Sequence, residues 1–229
     1  MKIGVKSLKI FHENNAIVDI AFSVKNSLGI VGKSGSGKSL TLKALLNLLP
    51  NTMRREISLD SDFEFINGKT IAYVPQNPFT ALSPMSKIKD QFFAPKEKQE
   101  KLLKDMNLEP ALLDRFPAEL SGGQLQRTII ATAIANDVKL LLLDEPTTAL
   151  DTKSKNAVLE ILKELKKTIN IVFVSHDIKS VSDVCETICV LDRGRIVEEN
   201  SSENLLRSPK SNEAKELINS DFSLRSFRE

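Results

Sequence analysis

The stretch Gly32-Lys33-Ser34-Gly35-Ser36-Gly37-Lys38-Ser39 decides how the rest of the chain is read. It fits the phosphate-loop pattern GxxxxGK[ST] at every position. Its glycines let the backbone fold into a nest of N–H donors too tight for side chains. Just upstream, Leu28 to Val31 reads as a short apolar strand. Just downstream, Leu42, Leu45, Leu46 and Leu49 recur at helical spacing until Pro50 stops them. A strand, a glycine-rich turn and a helix in that order aim a helix N-terminus at an anion. A flexible Gly/Ser turn would need neither flanking element. All eight residues are therefore assigned to nucleotide binding. Lys38 reaches the β- and γ-phosphates, and Ser39 offers its hydroxyl to Mg²⁺.

Working outward, Val18, Ile20, Phe22 and Val24 alternate with Asp19, Ala21 and Ser23, the pattern of a half-buried antiparallel strand. Ile71 to Val74 reads as another strand. From Gln76 to about Asn136 the pattern is mainly helical. Leu140 to Leu143 is a continuous apolar run, as expected of a parallel strand covered on both faces. Val158, Ile161, Leu162 and Leu165 mark a helix, and Ile171 to Val174 a further buried strand. A helix near Ile178 to Glu186 follows, then Thr187 to Leu191, a turn at Arg193-Gly194, and Ile196-Val197. Strand and helix alternate at both ends with a helical insertion between them, which gives an α/β fold. The expected division is an α/β core with a β subdomain over 1–75 and 137–200, a helical subdomain over 76–136 and a tail over 201–229. The tail is expected to hold a helix near Asn212 to Asn219.

The strand Leu140 to Leu143 ends in Asp144-Glu145. Alone, two carboxylates there make an acidic turn. Downstream of a phosphate loop they become its acidic partner. Asp144 then holds Mg²⁺, and Glu145 orients and deprotonates the attacking water.

The chain has 229 residues, 41% of them hydrophobic and 27% charged, which suits one soluble domain with a small subdomain. Lys plus Arg is 32 and Asp plus Glu is 30, too balanced for nucleic-acid or membrane binding by bulk charge. Cys185 and Cys189 cannot build a disulfide framework and read as buried small hydrophobes. The first residues lack the apolar stretch of a signal peptide. The longest charge-free run, Thr70 to Ser86, carries three prolines and is no membrane span. A cytoplasmic protein is expected, with membrane association only through a partner.

Between the phosphate loop and the acidic strand lies Leu120-Ser121-Gly122-Gly123-Gln124-Leu125-Gln126-Arg127. Ser121 suits a helix N-cap. The segment LSGGQ, there, resembles the signature of ATP-binding-cassette (ABC) ATPases. Gln76 after Tyr73-Val74-Pro75 resembles that family's Q-loop, Ala149-Leu150-Asp151 its D-loop, and His176 in Val174-Ser175-His176-Asp177 its switch histidine. The pieces stand in family order, and the resemblance runs from about Ile3 to about Pro209.

The resemblance implies a P-loop fold with a mainly parallel core sheet, an antiparallel β subdomain and an inserted helical subdomain. It implies Mg-ATP sandwiched between two chains, head to tail. Ser121, Gly122, Gly123 and Gln124 of one chain would close on the γ-phosphate held by the other, with Asp151 in the D-loop. Gln76 would sense Mg²⁺ and water, and His176 would contact the γ-phosphate. The family stacks an aromatic residue on adenine. Phe11 is the candidate, against core packing, with His12 as an alternative. Tyr73 is expected to pack near Gln76.

Gln76-Asn77-Pro78-Phe79-Thr80-Ala81-Leu82-Ser83-Pro84 resembles a stretch of the dipeptide, oligopeptide and nickel importer group. Val184-Cys185-Glu186 and Gly194-Arg195-Ile196-Val197-Glu198 look like that group too. The implied partners are a second ATPase chain, membrane permease subunits and, indirectly, an extracytoplasmic substrate-binding protein. The implied location is the inner face of the cell membrane. Substrate stays open among peptides, nickel and metal chelates. The other class is a soluble ABC ATPase of a phosphonate-degradation, DNA-associated or ribosome-associated complex.

Overall fold

The computed structural model describes residues 2–220. Its strands, in chain order, are β1 (Ile3–His12), β2 (Asn15–Val24), β3 (Ser27–Val31), β4 (Met53–Ser61), β5 (Ile71–Val74), β6 (Leu140–Asp144), β7 (Asn170–Ser175), β8 (Thr187–Asp192) and β9 (Arg195–Ser201). Its α-helices are α1 (Lys38–Leu45), α2 (Lys96–Asp105), α3 (Gly122–Ala133), α4 (Thr152–Leu165), α5 (Ile178–Val184), α6 (Ser202–Arg207) and α7 (Asn212–Ser220). Two compact units result. Among the described residues, one holds 2–65 and 170–220; the other is Ile66–Ile169.

In the first unit, β3 runs parallel to both β7 and β8, and β8 turns back antiparallel into β9. Every residue of β3 and β7 is buried, as their unbroken apolar runs require of strands covered on both faces. The antiparallel sheet has the order β2-β1-β4. Its inner face carries Val18, Ile20, Phe22 and Val24 against Val5, Leu8 and Ile10, all buried. β4 is the strand that sequence periodicity does not announce. Arg54, Arg55, Glu56 and Asp60 break its apolar pattern, and it pairs with β1 in an antiparallel ladder from Ile3–Ser61 to His12–Met53, with one irregularity between Val5 and Ser7. The short helix α6 was also hidden in the polar tail. It starts where the Ser201 hydroxyl accepts the Asn204 N–H at 3.3 Å.

In the second unit, β5 pairs in parallel with β6. Leu125, Ile129 and Ile130 of α3 and Val158, Leu159, Ile161 and Leu162 of α4 are buried. The region from Pro78 to Glu119 is more broken than a run of helices. Only α2 is a regular α-helix there, and four 3₁₀ turns (Pro78–Thr80, Ile88–Gln91, Pro110–Asp114 and Pro117–Glu119) supply the rest. Three of the four begin at a proline, which fixes φ for a first turn and cannot extend a longer helix. Cys185 and Cys189 are buried and form no disulfide.

Candidate functional site: a phosphate loop and its acidic partners

The first unit carries the phosphate loop directly between β3 and α1. Gly37 takes φ 107°, a conformation open to glycine, and so turns the chain into α1. Gly32 is pressed so closely on the Leu191 carbonyl that any Cβ there would collide with it. The Gly194 N–H donates to the Ser36 carbonyl at 2.9 Å, pinning the loop to the β8–β9 turn. Lys38 is only 7% exposed. Its Nζ donates to the Gly32 carbonyl at 2.7 Å and to the Lys33 carbonyl at 3.0 Å, so the amine lies over the loop. The Ser36 hydroxyl is buried in the loop and has no hydrogen-bond partner among the described residues. A buried, unpartnered hydroxyl beside a buried ammonium and a helix N-terminus is a cradle suited to phosphate oxygens. Lys33 leaves the loop outward and pairs with Glu216 of α7, which holds its amine above the usual lysine pKa.

Phe11 lies on β1, half-buried, opposite Ala16 and Arg54. The Arg54 guanidinium sits 4.2 Å from the centre of its ring, so one face of the aromatic is covered. His176 follows β7 directly and is exposed. It is held between a hydrogen bond from the Asp177 N–H to the Ser175 hydroxyl, 3.1 Å, and the Asp177 carboxylate that caps α5.

The second unit carries the acidic pair. Asp144 ends β6 and is 2% exposed; Glu145 follows at 7%. Glu145 takes φ 50°, a left-handed backbone uncommon outside glycine. The Tyr73 hydroxyl donates to Asp144 Oδ2 at 3.0 Å. Burial first, then the Asp144 charge, push that phenol far above its usual pKa, so it remains a donor. The contact to Asp144 is one that the sequence does not announce. Gln76 is exposed just beyond β5.

Ser121 caps α3 as its residue type suggests. Its hydroxyl accepts the Gln124 N–H at 3.3 Å, and the Gln124 side chain accepts the Ser121 N–H at 3.0 Å. Ser121 and Gly122 are exposed, whereas the body of the helix is buried. Gly123 packs on Ser154 with no room for a side chain. Asp151 caps α4, and hydrogen bonds from Ser154 hold its carboxyl below the usual range. Arg127 had no assigned role. Its guanidinium donates to the carbonyls of Gly123, Met106 and Asn107, tying the signature helix to the end of α2. Thr148 also escaped sequence reading, because a threonine in a turn carries no signal of its own.

In the second unit the Asp144 carboxylate and the Gln76 amide carry oxygen atoms of the kind a hard cation takes; in the first unit Ser39 carries a hydroxyl. Among the described residues, no group of three or more His, Cys, Asp or Glu side chains could hold a metal.

The ABC transporter family model matches residues 17–148. The chain is 35% identical over 236 residues to the oligopeptide transport ATP-binding protein OppD of Lactococcus lactis subsp. cremoris, covering 90% of this chain and 70% of that protein. It is 32% identical to the metal-staphylopine import system ATP-binding protein CntD of Staphylococcus aureus, covering 84% and 82%. Among solved structures, cbiO1 from Clostridium perfringens, part of the ABC transporter complex cbiONQ, superposes with a TM-score of 0.77. That match has 23% identity and covers 95% of this chain and 92% of that one. The fold, the phosphate loop and these relatives agree: the chain belongs to the ABC transporter family and is an importer-type ATP-binding subunit and ATPase.

Proposed function

We propose that this chain binds Mg-ATP on its phosphate loop and hydrolyses it against the signature helix of a second ATPase chain. The observation that carries this reading is the exposed N-terminus of α3, Ser121 and Gly122, on a helix otherwise buried. Such an end offers N–H donors and partial positive charge to phosphate held by another molecule. Residues 32–39 cradle the phosphates, with Lys38 leaving the loop carbonyls for the β- and γ-phosphates. Phe11 stacks adenine on the face opposite Arg54. Ser39, Asp144 and Gln76 hold the metal, which supplies charge neutralisation on the phosphate oxygens.

Glu145 takes the proton of the attacking water, and His176 orients the γ-phosphate. Asp151, with Ser121, Gly122, Gly123 and Gln124, belongs to the partner-facing half of the site.

The energy released drives uptake through separate permease subunits, which place the chain at the inner membrane face. No helix among the described residues is long and apolar enough to cross a membrane. Phe79, Met85 and Phe93 are 66%, 85% and 87% exposed in the segment after Gln76, and they form the permease docking surface. Names of relatives support an oligopeptide or a chelated metal as cargo, delivered by an extracytoplasmic binding protein.

The test divides the lesions. Lys38→Ala and Ser121→Arg are each expected to be inactive alone. Mixing them leaves one site intact in each mixed dimer, so ATPase activity returns in part, to a fraction set by random pairing. No rescue at any ratio, with activity strictly linear in concentration down to a demonstrated monomer, overturns the shared site.

A further inference from the structure

Tyr73 is the single tyrosine of the chain, and there is no tryptophan. Its bond to Asp144 follows from sheet register. β5 and β6 run parallel with Tyr73 opposite Leu142 and Val74 opposite Leu143. Paired residues of a parallel ladder share a face, and so do residues two apart on one strand. Tyr73 and Asp144 are therefore on one face, offset by roughly 6.6 Å along the strand. A phenol leaning along the strand spans that offset, and its hydroxyl meets Oδ2 at 3.0 Å. A serine or threonine at 73 would fall short, and a phenylalanine would fill the space without a donor. Asp144 is 2% exposed, so bulk water does not replace the bond from Tyr73 when that is lost.

We propose that Tyr73 is a positioning residue for the metal-binding carboxylate. Its hydroxyl fixes the side-chain torsion of Asp144 and ties that carboxylate to the strand leading into Gln76. Only Val74 and Pro75 separate Tyr73 from Gln76, and the proline ring fixes φ there. The Gln76 segment and the Asp144 carboxylate are thus joined through one short, stiff stretch of β5. This inference rests on the reading that Asp144 serves Mg²⁺.

Mn²⁺ is the probe, because its binding to protein loaded with a non-hydrolysable ATP analogue is read directly by electron paramagnetic resonance. Tyr73→Phe is expected to weaken Mn²⁺ binding about tenfold, the usual cost of losing a ligand's orienting hydrogen bond. Analogue binding in EDTA should stay at the wild-type level. Asp144→Asn is measured in parallel. If Asp144→Asn leaves Mn²⁺ affinity unchanged, the metal role of Asp144 fails. If Asp144→Asn weakens Mn²⁺ and Tyr73→Phe does not, the positioning role alone fails. In the double variant, Tyr73→Phe should add nothing to Asp144→Asn; additive losses overturn the proposal.

If Tyr73→Phe fails to fold, the wild-type chain carries its own reporter. Biosynthetic fluorotyrosine labels residue 73 alone. Its fluorine resonance should move when Asp144→Asn is introduced, and again when Mg²⁺ joins the analogue-bound protein. A resonance indifferent to both overturns the proposal.

Discussion

The Thr148 hydroxyl donates to Glu145 Oε2 across 3.0 Å, and the Thr148 N–H donates to the Glu145 carbonyl at 3.1 Å. The two bonds close a tight turn around a glutamate held at φ 50°. One neighbour three residues on thus bears on both the side-chain direction and the backbone turn of the proposed base.

Thr148→Val removes the hydroxyl at nearly constant shape. A hydrogen bond to a charged group contributes about 1.5 kcal/mol or more, which corresponds to about tenfold in rate. The expected result is a kcat lower by about that factor with KM for ATP little changed. Steady-state ATPase kinetics check it. An unchanged kcat would show that the backbone turn alone orients Glu145.

Phe11 has Arg54 over one face, 4.2 Å from the ring centre, and the proposed adenine stacks on the opposite face. Base–aromatic stacking contributes about 1–3 kcal/mol. Phe11→Ala should therefore raise KM for ATP about tenfold at constant kcat, and Phe11→Tyr should restore it. Arg54→Ala should raise KM less, because the ring loses support on one side and keeps its stacking surface on the other. Equal KM values for wild type and Phe11→Ala would return Phe11 to core packing.

Arg127 bonds three carbonyls at once, those of Gly123, Met106 and Asn107 at 3.1, 3.1 and 3.0 Å. A lysine cannot reproduce this fork. Arg127→Lys should lower unfolding free energy by about 1–3 kcal/mol, read from the urea midpoint. Hydrogen exchange should rise at the end of α2 and the start of α3, and not in α4. Uniform exchange across the unit would show that Arg127 does not specifically tie these ends.

Glu198 fastens the tail. Its carboxylate accepts the N–H groups of Lys210 at 3.0 Å and Ser211 at 2.7 Å, and the Ser211 hydroxyl at 2.8 Å. Burial opposes the charge, but the hydrogen bonds from Ser211 and Lys210 outweigh it and hold the pKa below the ordinary 4.5. A folded pKa below the unfolded one means stability that is full above pH 4.5 and lost as pH falls through the folded value. Glu198→Gln should cost about 1–3 kcal/mol at neutral pH. The gap between variant and wild type should close in acid, as urea midpoints at both conditions will show. A gap independent of pH would assign the loss to shape instead of charge.

The phosphate loop, the acidic strand end and the signature cap could be read from sequence because each depends on residues that are neighbours along the chain. A glycine nest, an apolar strand and a serine cap act over a few residues, and their periods survive in one dimension. The same locality revealed β2, β3, β6 and β7. It failed for β4, whose charged residues show no apolar alternation and whose existence depends on the β1 edge. It failed also for Tyr73 and Asp144, partners 71 residues apart. Their meeting depends on the register of two parallel strands, which neither strand encodes alone. The same holds for Arg54 over Phe11 and for Arg127 at the end of α2. Sequence determined which chemical groups this protein has and their order. Tertiary structure decided which oxygen each donor meets, because register and packing are set by the burial of whole faces.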